Sequence, residues 1–294
     1  MDINWLQDFV CLARTLNFTR AAEERNITQP AFSRRIKSLE NWIGVPLIKR
    51  SSYPVQLSEA GDQFLPVARA TIAELTNICL TLRAQERGNA AFQRFAVLHT
   101  ISVNYLSRRI GEMEQTIPNL RVRVFSDHLR NCCQMLSDGA CDFLLYYSHK
   151  DIQPIFDETQ FSRKNIGSDM LIPVAQSDFA TKNHWNLDRP VADPIPYLGY
   201  DPSSFLGTVV EQTIGQRGPL LSLFYMDALT EAIKRRMLAG GGIAWLPESS
   251  VALEIEAGAV VRVGGKSWEA ALTLSLFCSI ERLDETGRIM WETL

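Results

Sequence analysis

The chain of 294 residues lacks several things. No uninterrupted apolar run reaches about 18 residues, the length a membrane helix needs. The start, Met1-Asp2-Ile3-Asn4-Trp5, is acidic where a secretory leader would be basic and then apolar. A soluble cytoplasmic protein is expected. The six cysteines (Cys11, Cys79, Cys132, Cys133, Cys141, Cys278) form no CxxC pair and sit mostly among hydrophobic residues, which predicts thiols in a reducing compartment rather than disulfides. His99, His128, His149 and His184 have no i, i+4 partner, so no zinc site is spelled out. Gly240-Gly241-Gly242 belongs to neither GxxxxGK[ST] nor GxGxxG, and no nucleophile elbow marks a catalytic serine. The expectation is a protein that is not an enzyme and carries no cofactor or metal.

What is present is charge gathered at one end. Residues 14 to 50 hold eight Lys or Arg against Glu23, Glu24 and Glu40, a net of +5 in a chain of −3, which leaves −8 on the rest. A duplex demands complementarity only from the part that docks, so this segregation points to DNA. Residues 18 to 50 show two short helical patterns around a polar break, the layout of a helix-turn-helix. Thr19 is expected to cap the first helix, with Ala21 and Ala22 allowing close crossing, and Thr28 to cap the second, with Pro30 in its first turn. Ala31, Phe32, Ile36, Leu39 and Ile43 recur at helical spacing as a buried face. Gln29, Ser33, Arg34 and Lys37 are left outside. An ordinary amphipathic hairpin with solvated cations is the plainer reading, and the charge contrast argues against it.

Leu16-Asn17-Phe18-Thr19-Arg20-Ala21-Ala22, the run from Ile27 to Glu40 (ITQPAFSRRIKSLE) and Leu57-Ser58-Glu59-Ala60-Gly61 resemble the N-terminal domain of LysR-type transcriptional regulators. Leu136-Ser137-Asp138-Gly139-Ala140-Cys141-Asp142 and Leu238 to Pro247 (LAGGGIAWLP) are similar to looser motifs of that family's effector domain. The resemblance implies a winged helix-turn-helix, a long linker helix and a C-terminal two-lobed α/β effector domain of the periplasmic-binding-protein type. It also implies a dimer or tetramer on an interrupted palindrome of double-stranded DNA, and it leaves contact with RNA polymerase open. Thr28, Gln29, Ser33 and Arg34 match the family's reading positions. Gln29, Pro30, Ser33, Arg34 and Lys37 are therefore expected at the major groove, while Arg35, Lys37 and Arg50 suit phosphates, with Arg50 entering a wing whose turn falls at Ser52 to Pro54.

The expected domains are 1–60 for DNA binding, 58–88 for the linker helix and 92–294 for the effector domain. The effector domain divides into lobe I, 92–162 plus 268–294, and lobe II, 163–267. Along the linker Phe64, Ala68, Thr71, Leu75, Ile78 and Leu82 alternate spacings of four and three, a seam for a partner helix. Pairing two heads about 34 to 36 Å apart strengthens binding beyond what a single head offers. Residues 84 to 91 break the pattern as a hinge.

Beyond the hinge, strands are expected at 95–99, 122–125, 143–147, 171–175, 220–224, 243–246, 260–263 and 272–277, and helices at 106–117, 129–136, 205–214 and 228–238. Such alternation indicates parallel sheets covered by helices. Ligands of open sheets bind at strand-to-helix turns, which nominates Thr100, Ser102, Asp127, Tyr200, Ser203, Phe205 and Met226 around a small effector. Hydroxyls beside helix N-termini favour an anionic one, unless they merely cap those helices. A competing switch is oxidation: Cys132, Cys133, Met135 and Cys141 cluster within ten residues, and Arg130 could lower a thiol pKa. A helix-turn-helix fused to an enzyme is the distant alternative.

Overall fold

The computed structural model describes residues 2–49, 55–86, 91–153, 156–190 and 193–294. Arg50, the wing tip and part of the expected hinge lie outside the described residues. The chain divides into two units, one built on the first 91 residues and one on Phe92–Leu136 with Cys141–Leu294.

The first unit begins with a helix that the sequence reading left out, α1 (Ile3–Thr15), whose Asp2 side chain accepts the Asn4 N–H. The helix-turn-helix follows as α2 (Phe18–Glu24) and α3 (Gln29–Ile43). Asn17, not Thr19, caps α2, accepting the N–H groups of Thr19 and Arg20 at 2.9 and 3.1 Å. An Asx side chain one residue before the first turn reaches the orphan donors that a hydroxyl inside the turn cannot. Thr28 does sit at the N-cap of α3, but its side chain makes no capping bond. Phe32, Ile36 and Leu39 close a core with Leu6, Phe9, Leu12, Ala21 and Ala22.

Two short strands, β1 (Ile48–Lys49) and β2 (Gln56–Leu57), pair antiparallel as the base of the wing. Buried Glu40 holds that base to α3 by accepting the N–H groups of Leu47 and Ile48 at 2.9 and 3.2 Å. The long helix α4 (Glu59–Glu86) starts where Ser58 Oγ accepts the Gly61 N–H at 3.0 Å. A β-carbon at Gly61 would lie 2.2 Å from the Leu47 carbonyl oxygen, so glycine alone lets the helix start against the wing.

The second unit is one mixed sheet in the order β4-β3-β5-β11-β6-β9-β7-β8, with β10 on β6. One flank is parallel: β3 (Gln93–Val97), β4 (Val122–Ser126) and β5 (Phe143–Ser148). The other flank is parallel too: β7 (Ile195–Tyr200), β8 (Leu221–Asp227) and β9 (Ile243–Pro247). Two long antiparallel strands join them, β6 (Ser162–Gln176) and β11 (Ala270–Cys278). β10 (Val260–Arg262) borders the far end of β6. Strands β3, β5 and β9 are almost wholly buried, as covered parallel strands must be.

Helices cover the sheet: α5 (His99–Ile101), which runs through a π turn at Ser102–Leu106 into α6 (Ser107–Glu114), then α7 (Leu129–Ser137), α8 (Ser177–Lys182), α9 (Phe205–Ile214), α10 (Thr230–Leu238), α11 (Glu248–Glu256) and α12 (Glu285–Thr293). The expected strands recur within a few residues, while β7 and the first half of β6 were unforeseen. Gly240 and Gly242, both at positive φ, turn the chain from α10 into β9, so the triple glycine serves geometry. Among the described residues no helix is long and apolar enough to cross a membrane.

Candidate nucleic-acid interface and effector cleft

Positions 29, 33, 34 and 37 fall on one face of α3, opposite the buried Phe32, Ile36 and Leu39. Thr28, Gln29, Pro30, Arg34 and Lys37 are exposed and Ser33 is half-buried. Among the described residues neither Arg34 nor Lys37 is ion-paired; Arg34 Nε makes a single long bond to the Pro30 carbonyl at 3.4 Å. Arg35, expected at a phosphate, points elsewhere: its Nη1 lies 3.3 Å from Asp8 Oδ2.

Asp8 is fully buried on α1 and takes a second arginine, with Arg25 Nε 2.6 Å from its Oδ1. Arg25 also donates to Gln7 at 2.7 Å. One carboxylate thus ties α1 to the residue that ends α2 and to the middle of α3. Nothing in the residue spacing announced it, because a lone Asp in a helix reads as surface.

In the second unit the strand-to-helix turns enclose a small cavity of about 40 Å³ lined by Leu98, His99, Thr100, Asp127, His128, Leu129, Ser204, Phe205, Leu206, Ala228 and Thr230. Thr100, Asp127 and Phe205 were expected there. Ser102, Tyr200, Ser203 and Met226 do not line it. Ser203 bonds Asp201 at 2.6 Å within its own turn, and Met226 lies exposed on β8. Tyr200 is buried, and among the described residues its hydroxyl has no hydrogen-bond partner. Thr100 Oγ1 donates to Thr230 Oγ1 at 2.7 Å, and Asn104 Nδ2 to Ser250 Oγ at 2.6 Å; both bonds tie one flank of the sheet domain to the other.

A second cavity, of about 370 Å³, adjoins the first through Leu129 and Phe205 and is lined by side chains that sequence reasoning missed, among them Tyr146, Lys150, Glu158, Arg163 and Asn165. The alternation of Arg163 and Asn165 with Lys164 and Ile166 along β6 is the signal the sequence offers for them.

A model of the LysR-family bacterial regulatory helix-turn-helix matches residues 3–62, and a model of the LysR substrate binding domain matches 91–294. The chain belongs to the LysR family. It is 31% identical over 262 residues to the transcriptional regulator YjiE of Escherichia coli, covering 89% of this chain and 83% of that one. Among solved structures, Vibrio fischeri DarR in complex with DNA is similar with a TM-score of 0.60 and 26% identity, covering 99% and 97% of the two chains. The full-length HypT of Salmonella typhimurium, described as a hypochlorite-specific regulator, is similar with a TM-score of 0.58 and 26% identity, covering 99% and 96%. The chain is therefore a LysR-type DNA-binding transcriptional regulator with an effector-binding domain, and the fused-enzyme reading is set aside.

The thiols weigh against the cysteine switch. Cys132, Cys133 and Cys141 are buried in the sheet domain's core. Burial pushes Cys132 and Cys133 up to about 12 and raises Cys141 as well. Arg130 is exposed, and no thiolate is favoured at neutral pH. These residues pack as small hydrophobes.

Proposed function

We propose that this LysR-type regulator reads the major groove with Gln29, Pro30, Ser33 and Arg34, anchors to phosphates with Lys37, and answers a small molecule held in the cleft of its effector domain. The observation that carries the first part is the exposed, un-ion-paired row on α3. In most surface helices such cations find acidic neighbours; here the acidic groups nearby, Asp8 and Glu40, are turned inward. The protein acts in the cytoplasm as a homodimer or tetramer on an interrupted palindrome. Support for pairing comes from α4: Phe64 and Ala68 pack on their own unit, but Leu75, Ile78 and Leu82 are 43, 48 and 55% exposed. An apolar row left in water is a seam for another helix.

Footprinting of the full chain on fragments of its host's genome, at low ionic strength and with or without host metabolite extract, tests the reading. Protection of two half-sites one helical turn apart, with its spacing altered by the extract, is expected. Absence of any sequence preference would overturn the DNA part, and a footprint indifferent to every extract the effector part.

The likeness to HypT, described as hypochlorite-specific, favours a second reading, in which hypochlorite is the signal and the exposed thioether of this chain its target. Met226 is 43% exposed, and hypochlorous acid transfers its oxygen to a thioether, leaving sulfoxide, chloride and a proton. Intact mass after one equivalent of hypochlorite, followed by peptide mapping, should then show one added oxygen at Met226.

A further inference from the structure

Rotation about α3 puts Arg35 between its two faces. Each residue of an α-helix advances about 100°, so Arg35 stands about that far from exposed Arg34 on one side and from buried Ile36 on the other. A helix about 10 to 12 Å across fills a major groove about 12 Å wide, and its flanks then face the phosphate walls. An arginine on such a flank contacts phosphate by default, and a competing anion is what withholds it.

The competitor is Asp8. Its carboxylate, wholly buried on α1, takes Arg25 Nε at 2.6 Å on Oδ1 and Arg35 Nη1 at 3.3 Å on Oδ2. Arg25 is the firmer partner, since it also donates to Gln7 at 2.7 Å and to Asn4 at 3.4 Å. Arg35 is the second cation on a carboxylate that already has one, and 36% of its side chain stays in water. Moving it to a phosphate would strip the buried carboxylate of that second partner, and a buried charge with less compensation is the costly state.

We infer that Asp8 is a specificity-determining residue: it holds Arg35 against α1, off the DNA backbone, and so keeps affinity for random sequence low. The inference rests on the reading of α3 above and adds to it a positioning residue that itself touches no DNA. On the specific site base contacts fix the register of α3, and Arg35 gains only where a phosphate falls within reach of that one register. On random sequence no register is fixed, and a free guanidinium can shift along the backbone until it finds a phosphate. Release of Arg35 therefore favours the wrong DNA more than the right one. Discrimination, the difference between the two, shrinks.

The test measures the affinity of the full-length chain for a short random-sequence duplex and for the best fragment from footprinting, by fluorescence anisotropy across a series of KCl concentrations. Asp8→Asn keeps the size of the side chain and an acceptor for Arg25 but gives up the charge that holds Arg35. Affinity for the random duplex should rise about five- to tenfold near about 0.1 M salt, and the slope of log affinity against log salt should steepen by about one, as one added phosphate contact requires. The specific fragment should gain less, so that the ratio of the two affinities falls. Arg35→Gln, which leaves Asp8 its Arg25, should change neither affinity nor slope on the random duplex, and adding it to Asp8→Asn should abolish the gain. A plain charge effect would be symmetrical, a gain in one variant and an equal loss in the other, whereas withholding gives a gain without a loss. A slope unchanged or lowered in Asp8→Asn, a slope lowered in Arg35→Gln, or a gain that survives in the double variant overturns the inference. Should Asp8→Asn not fold, Arg35→Gln decides alone by the same criterion. Lys37→Ala in the same titration separates the outcomes: a slope lowered by about one keeps the outward face of α3 on the duplex even where this inference fails, and an unchanged slope removes that face and the inference with it.

Discussion

On α3 the outward Gln29, Arg34 and Lys37 stand exposed with no ion pair among the described residues, whereas in the cleft of the second unit Thr100 is bonded to Thr230 and Tyr146 to Glu158. The difference follows from the partners. A duplex is a regular lattice of phosphates and base edges, so a rigid helix can wait for it with donors already in water. A small molecule must be enclosed, and polar groups that line an enclosure are costly unless they bond one another. On the proposed function, the reading head is a surface supported from beneath, and the effector site a network that an occupant must enter.

The largest expected effect breaks the support under the reading head. Asp8→Ala leaves Arg25 and Arg35 without their shared buried carboxylate, and losing one partner of such a cluster costs about 3 to 5 kcal/mol. Both arginines keep some access to water, which favours the lower end. Chemical denaturation should show the first unit's transition moving to lower denaturant while that of the sheet domain stays. If DNA affinity and stability are both unchanged, the exposed row of α3 does not depend on that buried support.

Next comes the surface itself. Arg34→Ala should cost about 1 to 3 kcal/mol on the specific site and flatten preference at one base pair, as loss of a bidentate guanine contact does. A loss of equal size on random DNA would reassign Arg34 to the backbone.

How far each region is legible in sequence follows the same contrast. The helix-turn-helix is local: Phe32, Ile36 and Leu39 set the buried face within eight residues, and the outward positions follow by periodicity. What escaped there was non-local, namely Asp8 reaching Arg35 across 27 positions and Glu40 reaching the wing strand. The parallel flanks of the sheet were legible because buried strands read as apolar runs. The first half of β6 was not, because Ser162 to Ser168 is polar and pairs with β11 more than a hundred residues later. The cleft suffers most, since Lys150, Arg163 and Phe205 meet only after the whole sheet has formed. Of the residues nominated at strand-to-helix turns, Thr100, Asp127 and Phe205 line the smaller cavity and only Phe205 the larger.

A smaller effect separates phosphate anchoring from base reading on α3. Lys37→Ala should weaken binding to all sequences alike and lower the slope of log affinity against log salt by about one. An unchanged slope would remove Lys37 from the contact list and narrow the exposed row to its N-terminal half.

The smallest effect concerns the sealed interior of the second unit. Cys132, Cys133 and Cys278 are held up to about 12 by burial, against an ordinary 9.0. A thiol raised on folding keeps its proton in the native state after the unfolded chain has lost it. Its contribution to stability is therefore complete below about pH 9 and is lost as pH rises toward 12. Denaturation midpoints should be flat from neutral pH to about 9 and then fall, and at neutral pH a thiol reagent should label exposed Cys79 but not the buried cysteines of the sheet domain before unfolding. Prompt labelling of Cys132 or Cys133 in the native protein would show that this interior opens readily. The oxidation switch would then return to those thiols, and the contrast between an open reading head and a closed sensor would fail.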